Sequence, residues 1–340
     1  MRPTKIAFAA ALLGCVIGAG AAQAETSLRF AHWLPPSHAL HTTGFDIWTK
    51  SITEASGGAI TFQIFPAQQL GSATDHYDMA RDGIADLSFI TPGYQPGRFP
   101  LFSLVENPFM VTNAKSGSAA FDAWYRQYAP QEMADVHVCM AFIQDPGTLH
   151  SVAQMKLPSD IRGTNIRPAQ AVIGSMVALL GGASVQVPAP EAREVIARGA
   201  ADGITFPWDS IYLFGIDKET RYHIDFPLYT TAFVIAFNKA RYEGLPEDER
   251  AAIDAHCTSE WAEKVAAGWA DQERSGRDKA LADPSHVVHA PTPEEIAAWQ
   301  QATAPLLEDW RGQVEAKGHD AAAVEDSFRQ HMSAAGALFE

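Results

Sequence analysis

From Ser27 to His32 the apolar residues Leu28 and Phe30 alternate with their neighbours, the period of a strand. Beyond a proline-containing turn, Phe45, Trp48, Ile52 and Ala55 recur at helical spacing, and Gly57-Gly58 closes that helix. Ile60, Phe62 and Ile64 alternate again. Thr74 to Asp82 then reads as a short helix stopped at Gly83, and Ala85 to Thr91 as a third strand. The order is β-α-β-α-β.

About 120 residues later the order recurs. A strand at Asn165 to Arg167 leads to an apolar helix from Ala171 to Leu180 with Gly181-Gly182 as its cap. A strand at Ser184 to Val187, a helix from Pro190 to Arg198 and a strand at Gly203 to Phe206 follow. The residues repeat as well: Gly57-Gly58-Ala59 matches Gly181-Gly182-Ala183. Ala80-Arg81, Ala85-Asp86 and Phe89 match Ala197-Arg198, Ala201-Asp202 and Phe206. Two copies of one α/β unit predict two facing lobes. Val136 to Ile143 and Leu228 to Asn238 supply two extended crossings between them. From Leu245 the chain reads as mostly helical, past Trp261 and Trp269, with Thr292, Pro293 and Glu295 as a capping-box start for a penultimate helix. The expected division is lobe I at 25–140 with a return segment at about 229–260, and lobe II at 141–228 with C-terminal helices at about 261–340 across both.

Composition narrows the class. The chain has 340 residues, 47% hydrophobic and 19% charged, which is a globular balance. Its formal charge of −15 excludes a generally basic nucleic-acid or anionic-membrane surface. Residues 1–24 carry Arg2 and Lys5, an apolar run from Ile6 to Ala22, and the small-residue site Ala22-Gln23-Ala24: a cleaved secretory leader. A lipoprotein site at Leu12-Leu13-Gly14-Cys15 is the second reading. Cleavage after Ala24 leaves the mature chain, in the periplasm, at −17. Cys139 and Cys257 then remain in an oxidising compartment; they could pair, and two buried free thiols is the plainer reading.

In open α/β sheets ligands bind beyond the carboxyl ends of strands. Those ends carry His32 and Trp33, Thr91 and Tyr94, Arg167, and Phe206, Trp208 and Asp209. Arg167 offers a fixed fork of donors suited to a carboxylate; the structural alternative is an ion pair with Asp160 or Asp209. Trp208, Phe206, Trp33 and Tyr94 would wall a bound molecule, and Asp209 would accept from a ligand or cap the following helix. No nucleotide-binding, nucleophile-elbow or zinc-protease motif occurs. His38 and His41, with His32 and His76 in the same unit, lack a Cys or Glu at ligand spacing, so no metal or cofactor is expected.

The run Leu157-Pro158-Ser159-Asp160-Ile161-Arg162-Gly163-Thr164-Asn165-Ile166-Arg167 is similar to a segment of the solute-binding subunits of tripartite ATP-independent periplasmic (TRAP) transporters. Leu28 to His32, Gly71, Gly83 to Asp86, Asp202-Gly203, Asn238-Lys239 and Leu245-Pro246 continue the resemblance in the same order. It implies a two-lobed periplasmic binding protein, monomeric and without catalysis, which closes on a small organic acid and delivers it to membrane subunits. Arg167 holds the place of that family's carboxylate clamp. Two departures stand out. Phe206 sits where many members carry Asn, and no second arginine lies around Pro146 to His150. Both favour a monocarboxylate with an apolar or aromatic body. A sensor docking on a membrane receptor, or a secreted enzyme using His32, Asp209 or Cys139, are the competing readings.

Overall fold

A computed structural model describes residues 25–340; the leader, its Ala22-Gln23-Ala24 site and Cys15 lie outside the described residues. The first repeat supplies three strands, β1 (Thr26–Ala31), β2 (Ile60–Phe65) and β3 (Leu87–Ile90), then β4 (Val136–Ile143) leads out of it. The second contains β5 (Thr148–Ser151), β6 (Asn165–Arg167), β7 (Ala183–Ser184), β8 (Gly203–Phe206) and β9 (Tyr222–Ile224). The chain then returns as β10 (Ala232–Asn238) and ends its strands at β11 (Val287–His289).

Among the described residues these strands form two sheets, ordered β2-β1-β3-β10-β4 and β11-β9-β5-β8-β6-β7. The repeat is visible in both. The parallel order β2-β1-β3 has its counterpart in β7-β6-β8, and each triplet is extended by an antiparallel strand, β10 beside β3 and β5 beside β8. The glycine stops hold too: Gly57, Gly58, Gly83 and Gly181 all have positive φ, which a side chain would oppose. Two local expectations need correction. The strand expected at Ser184 to Val187 is only Ala183–Ser184, because the Val187 carbonyl turns to the Arg167 side chain (3.0 Å) before Pro188. The capped helix Pro293–Thr303 has two helices after it, Pro305–Ala316 and Ala321–Ala334, since Pro305 starts a new one.

The chain crosses between sheets through residues 144–147 and 225–231, which pair with each other. Gln144 N–H donates to the Thr231 carbonyl (3.1 Å), Gly147 N–H to that of Tyr229 (2.9 Å), and Thr230 Oγ1 to that of Gln144 (2.7 Å). A third connection is the helix Ser259–Ala282. It packs on the helix Lys115–Tyr125 and β4 of one lobe and on the helix Ser210–Leu213 and β11 of the other. Core residues from both sheets, Phe89 and Phe233 on one side and Ile204 and Phe206 on the other, belong to one continuous apolar cluster, so the lobes are in contact.

Cys139 and Cys257 are joined in a disulfide, where two free thiols were expected. They are 118 residues apart in sequence, and only the return of the chain after β10 brings Cys257 against β4, at a Cα separation of 4.6 Å. Closing so long a loop removes much of the unfolded chain's freedom. Replacing both cysteines by alanine should lower the stability of the oxidised protein by about 3–5 kcal/mol, read from urea denaturation; an unchanged midpoint would show that the bridge constrains nothing.

Candidate ligand-binding site

Arg167 is the last residue of β6. The strand's alternation sends Ile166 into the apolar core and Arg167 to the other side, where it is 1% exposed. Its Nε donates to the Val187 carbonyl (3.0 Å), Nη1 reaches the Thr205 carbonyl only at 3.5 Å, and among the described residues Nη2 has no partner. The guanidinium carbon lies 5.4 Å from the centre of the Phe206 ring. Neither expected acid meets it. Asp160 accepts from the backbone N–H groups of Lys156 and Leu157, and Asp209 is held by Lys279 and Gln272.

The guanidinium opens on a cavity between the lobes, with about 370 Å³ free of protein atoms, part of it open to solvent. Trp33, Tyr94, Phe206, Phe214, Phe233 and Trp269 form its apolar walls. Gln144 Nε2 and Tyr229 Oη, both on the paired crossing segments, line the same space and are, like Arg167 Nη2, buried without a partner. Three unpaired donor groups in one apolar cavity are a receptor for an anion with several acceptor oxygens. Tyr94, from the first lobe, also fastens the second: its Oη accepts from Ala189 N–H (3.0 Å). Gly93 is part of the same closure, because a Cβ there would come within 2.7 Å of Gln170 Cβ and the Glu106 carboxyl.

Of the residues expected at the site, Arg167, Phe206, Trp33 and Tyr94 are brought together and four are not. Thr91 sits behind the wall, accepting from Trp33 Nε1 (3.2 Å) and so fixing the indole. His32 is inside the first lobe, its Nε2 2.8 Å from His41 Nδ1. Trp208 packs on His150 and His223 and lines a separate cleft near the crossings, because the chain turns after Phe206 and leaves Pro207 on the cavity. Asp209 stands at the start of the helix Ser210–Leu213 but makes no capping bond; its carboxylate binds Lys279, with Gln272 donating to Oδ2 (2.5 Å). That helix end is instead capped by the buried Glu273, which accepts from Asp209 N–H (2.6 Å), Ser210 N–H (3.1 Å) and Trp269 Nε1 (2.6 Å). Sequence reasoning missed His38, Gln144, Ser210, Tyr229 and Trp269. The two expected crossings were a usable signal for Gln144 and Tyr229; the histidines around His38 pointed only to a metal site, and Trp269 carried no signal beyond its place in a helical stretch.

A family model described as DctP, bacterial extracellular solute-binding protein, family 7, matches residues 30–313. A TRAP solute-binding protein from Rhodoferax ferrireducens T118, in complex with copurified benzoate, is 29% identical with a TM-score of 0.86 over 92% of this chain and 98% of its own. One from Bordetella bronchiseptica with bound (R)- and (S)-mandelate is 26% identical, with a TM-score of 0.85 over 91% and 99%. A marine metagenome TRAP protein specific for aromatic acid ligands, in complex with 3-hydroxybenzoate, is 28% identical, with a TM-score of 0.85 over 91% and 98%. Among curated proteins, the uncharacterized protein YiiZ of Salmonella typhimurium is 27% identical over 194 residues, 53% of this chain; the match spans 56% of that relative's length.

The titratable groups buried around the site set opposing pH dependences. Burial lowers His32 and His38 to about 3, and His76 and His150 to about 4, helped for His32, His38 and His150 by neighbouring imidazoles. The unfolded chain takes up protons below 6.5 that these folded groups refuse, so stability falls as pH drops from there towards 4. Burial raises Glu106 to about 8 and Glu273 to about 7, and their contribution is lost as pH climbs through those values. Melting temperatures measured from pH 4 to 9 should peak between about pH 6 and 7.5; a monotonic trend across the range would overturn this balance.

Proposed function

The chain belongs to the bacterial extracellular solute-binding protein family 7, and we propose that it captures an aromatic monocarboxylate between its lobes and delivers it to the membrane subunits of a TRAP transporter. The observation that carries this reading is Arg167: a fully buried cation with no acidic partner, facing an aromatic-walled cavity. An unpaired buried charge is costly, and a ligand carboxylate supplies the missing counter-ion. Phe206, which lines the cavity where the family resemblance would set an Asn, adds ring surface rather than a polar contact. One arginine alone fits one carboxylate. The relatives that hold benzoate, mandelate and 3-hydroxybenzoate support the aromatic class.

The same reading places lobe I at 25–140 with its return at about 229–260, and lobe II at 141–228 with the C-terminal helices across both. The protein works as a monomer in the periplasm after removal of residues 1–24. Among the described residues no helix is long and apolar enough to cross a membrane. The enzyme alternative has little left to use: Cys139 is in a disulfide, Asp209 in an ion pair, and His32 against His41.

Calorimetry with benzoate, mandelate and 3-hydroxybenzoate should find at least one that binds and is recovered unchanged. Arg167→Ala should weaken it by about 30-fold to several-thousand-fold, equivalent to about 2–5 kcal/mol. Arg167→Lys should recover only part of that, because an ammonium cannot form two parallel bonds. An Arg167→Ala protein that binds within twofold of the original would sink the assignment.

A further inference from the structure

We propose that His38 and Ser210 form a second polar group in the cavity that recognises a hydroxyl on the ligand's aromatic body, so that the chain prefers hydroxylated aromatic acids to unsubstituted ones. This rests on reading the cavity as an aromatic-carboxylate site.

His38 is 2% exposed and lines the cavity. Its Nδ1 accepts from the Leu40 backbone N–H at 3.0 Å, which leaves no proton on that nitrogen. Burial and the neighbouring His41 keep the ring neutral, so its single proton is on Nε2. Among the described residues that N–H has no acceptor, and it is a fixed donor.

Ser210 also lines the cavity. While the Glu273 carboxylate behind it is ionised, its Oγ–H is committed to Oε1, so towards the ligand Oγ offers only lone pairs. The two side chains flank one indole. The Trp269 ring centre is 5.1 Å from that of His38, and Trp269 Nε1–H shares Glu273 Oε1 with Ser210. A neutral donor and a neutral acceptor beside the same ring match a hydroxyl, which accepts one hydrogen bond and donates one. They do not match a second carboxylate, which would lie in front of Glu273 with no cation to meet it. A metal ion fits no better: among the described residues no group of three or more His, Cys, Asp or Glu side chains could hold one, and the Nδ1 lone pair is already used. An unsubstituted ring seated over the His38 N–H would cover it and leave it unpaired, which is the basis of discrimination.

The test is a calorimetric comparison of benzoate with the three hydroxybenzoates, and of phenylacetate with mandelate and 3-hydroxyphenylacetate, on the full mature chain. In the original protein the best hydroxylated acid should bind about tenfold more tightly than its unsubstituted parent. The ratio should fall to about one in His38→Phe and be reduced in Ser210→Ala. Two results overturn the proposal: no hydroxylated acid binding better than its parent in the original protein, or a preference that survives in both variants. Failure of the subsite alone leaves benzoate or phenylacetate binding. Absence of binding by every acid overturns the aromatic-carboxylate reading itself, and this one with it.

Discussion

A guanidinium held out of water without an acid beside it is the constraint around which the rest of the molecule is arranged. Arg167 cannot lose its proton to escape burial, and its one good bond, to the Val187 carbonyl, offsets only part of the desolvation. The fold tolerates this because other partial negative charges face it: the Thr205 carbonyl, at the limit of hydrogen bonding, and the face of the Phe206 ring. These come from the ends of β6 and β8 and from the turn after β7, three places that only a parallel sheet of this order brings together. A charge left short of partners is a poor stability device and a good receptor.

That receptor is completed from elsewhere in the chain. Gln144 and Tyr229 stand on the two crossing segments, so part of the donor set belongs to neither sheet but to the hinge. An anion that bonded these groups would also fix the crossings. The long helix Ser259–Ala282 ties the third side. At Gly276 an added Cβ would fall 2.2 Å from Asp209 N, so glycine is required for the helix to lie against the turn after Phe206. Gln272, Glu273 and Lys279 on neighbouring turns grip residues 209 and 210 of that turn. The segment carrying Phe206 and Ser210 is thus positioned by a helix that also rests on the opposite lobe.

Much of this was legible because periodicity and strand ends are local. The duplicated unit, its glycine caps and the exact span of Gly203 to Phe206 follow from patterns within a few residues, and Arg167 follows from the end of a strand. What was not legible depends on pairing at a distance. The Cys139–Cys257 bond joins positions 118 residues apart, and nothing near either cysteine marks the other. Trp208 and Asp209 were expected on the cavity because they continue β8. The chain instead turns at that point, to meet Gly276, and carries Trp208 to a separate cleft and Asp209 to Lys279. His38 was weighed as a metal ligand since its neighbours in sequence are histidines; its role is set by Leu40 and Trp269, which periodicity classes as core.

The overall charge bears on capture less than it first suggests. A mature chain at −17 would repel an organic acid if its charges acted together, yet the Debye length is about 8 Å at physiological salt and the acidic groups lie mostly outside the cavity. Two buried carboxyls near it, Glu106 beside Gly93 and Glu273 bonded to Ser210 and Trp269, are handled differently. Glu106 is fully buried with no cation nearby and is pushed to about 8, so at neutral pH it stays largely protonated and does not cancel Arg167. Glu273 is held near 7 by burial, and its oxygens are occupied by the serine and tryptophan donors and by backbone N–H groups, which spread whatever charge it carries away from the ligand. Burial thus weakens or engages the nearby negative charge, and among the described residues Arg167 is the one Arg or Lys side chain that lines the cavity.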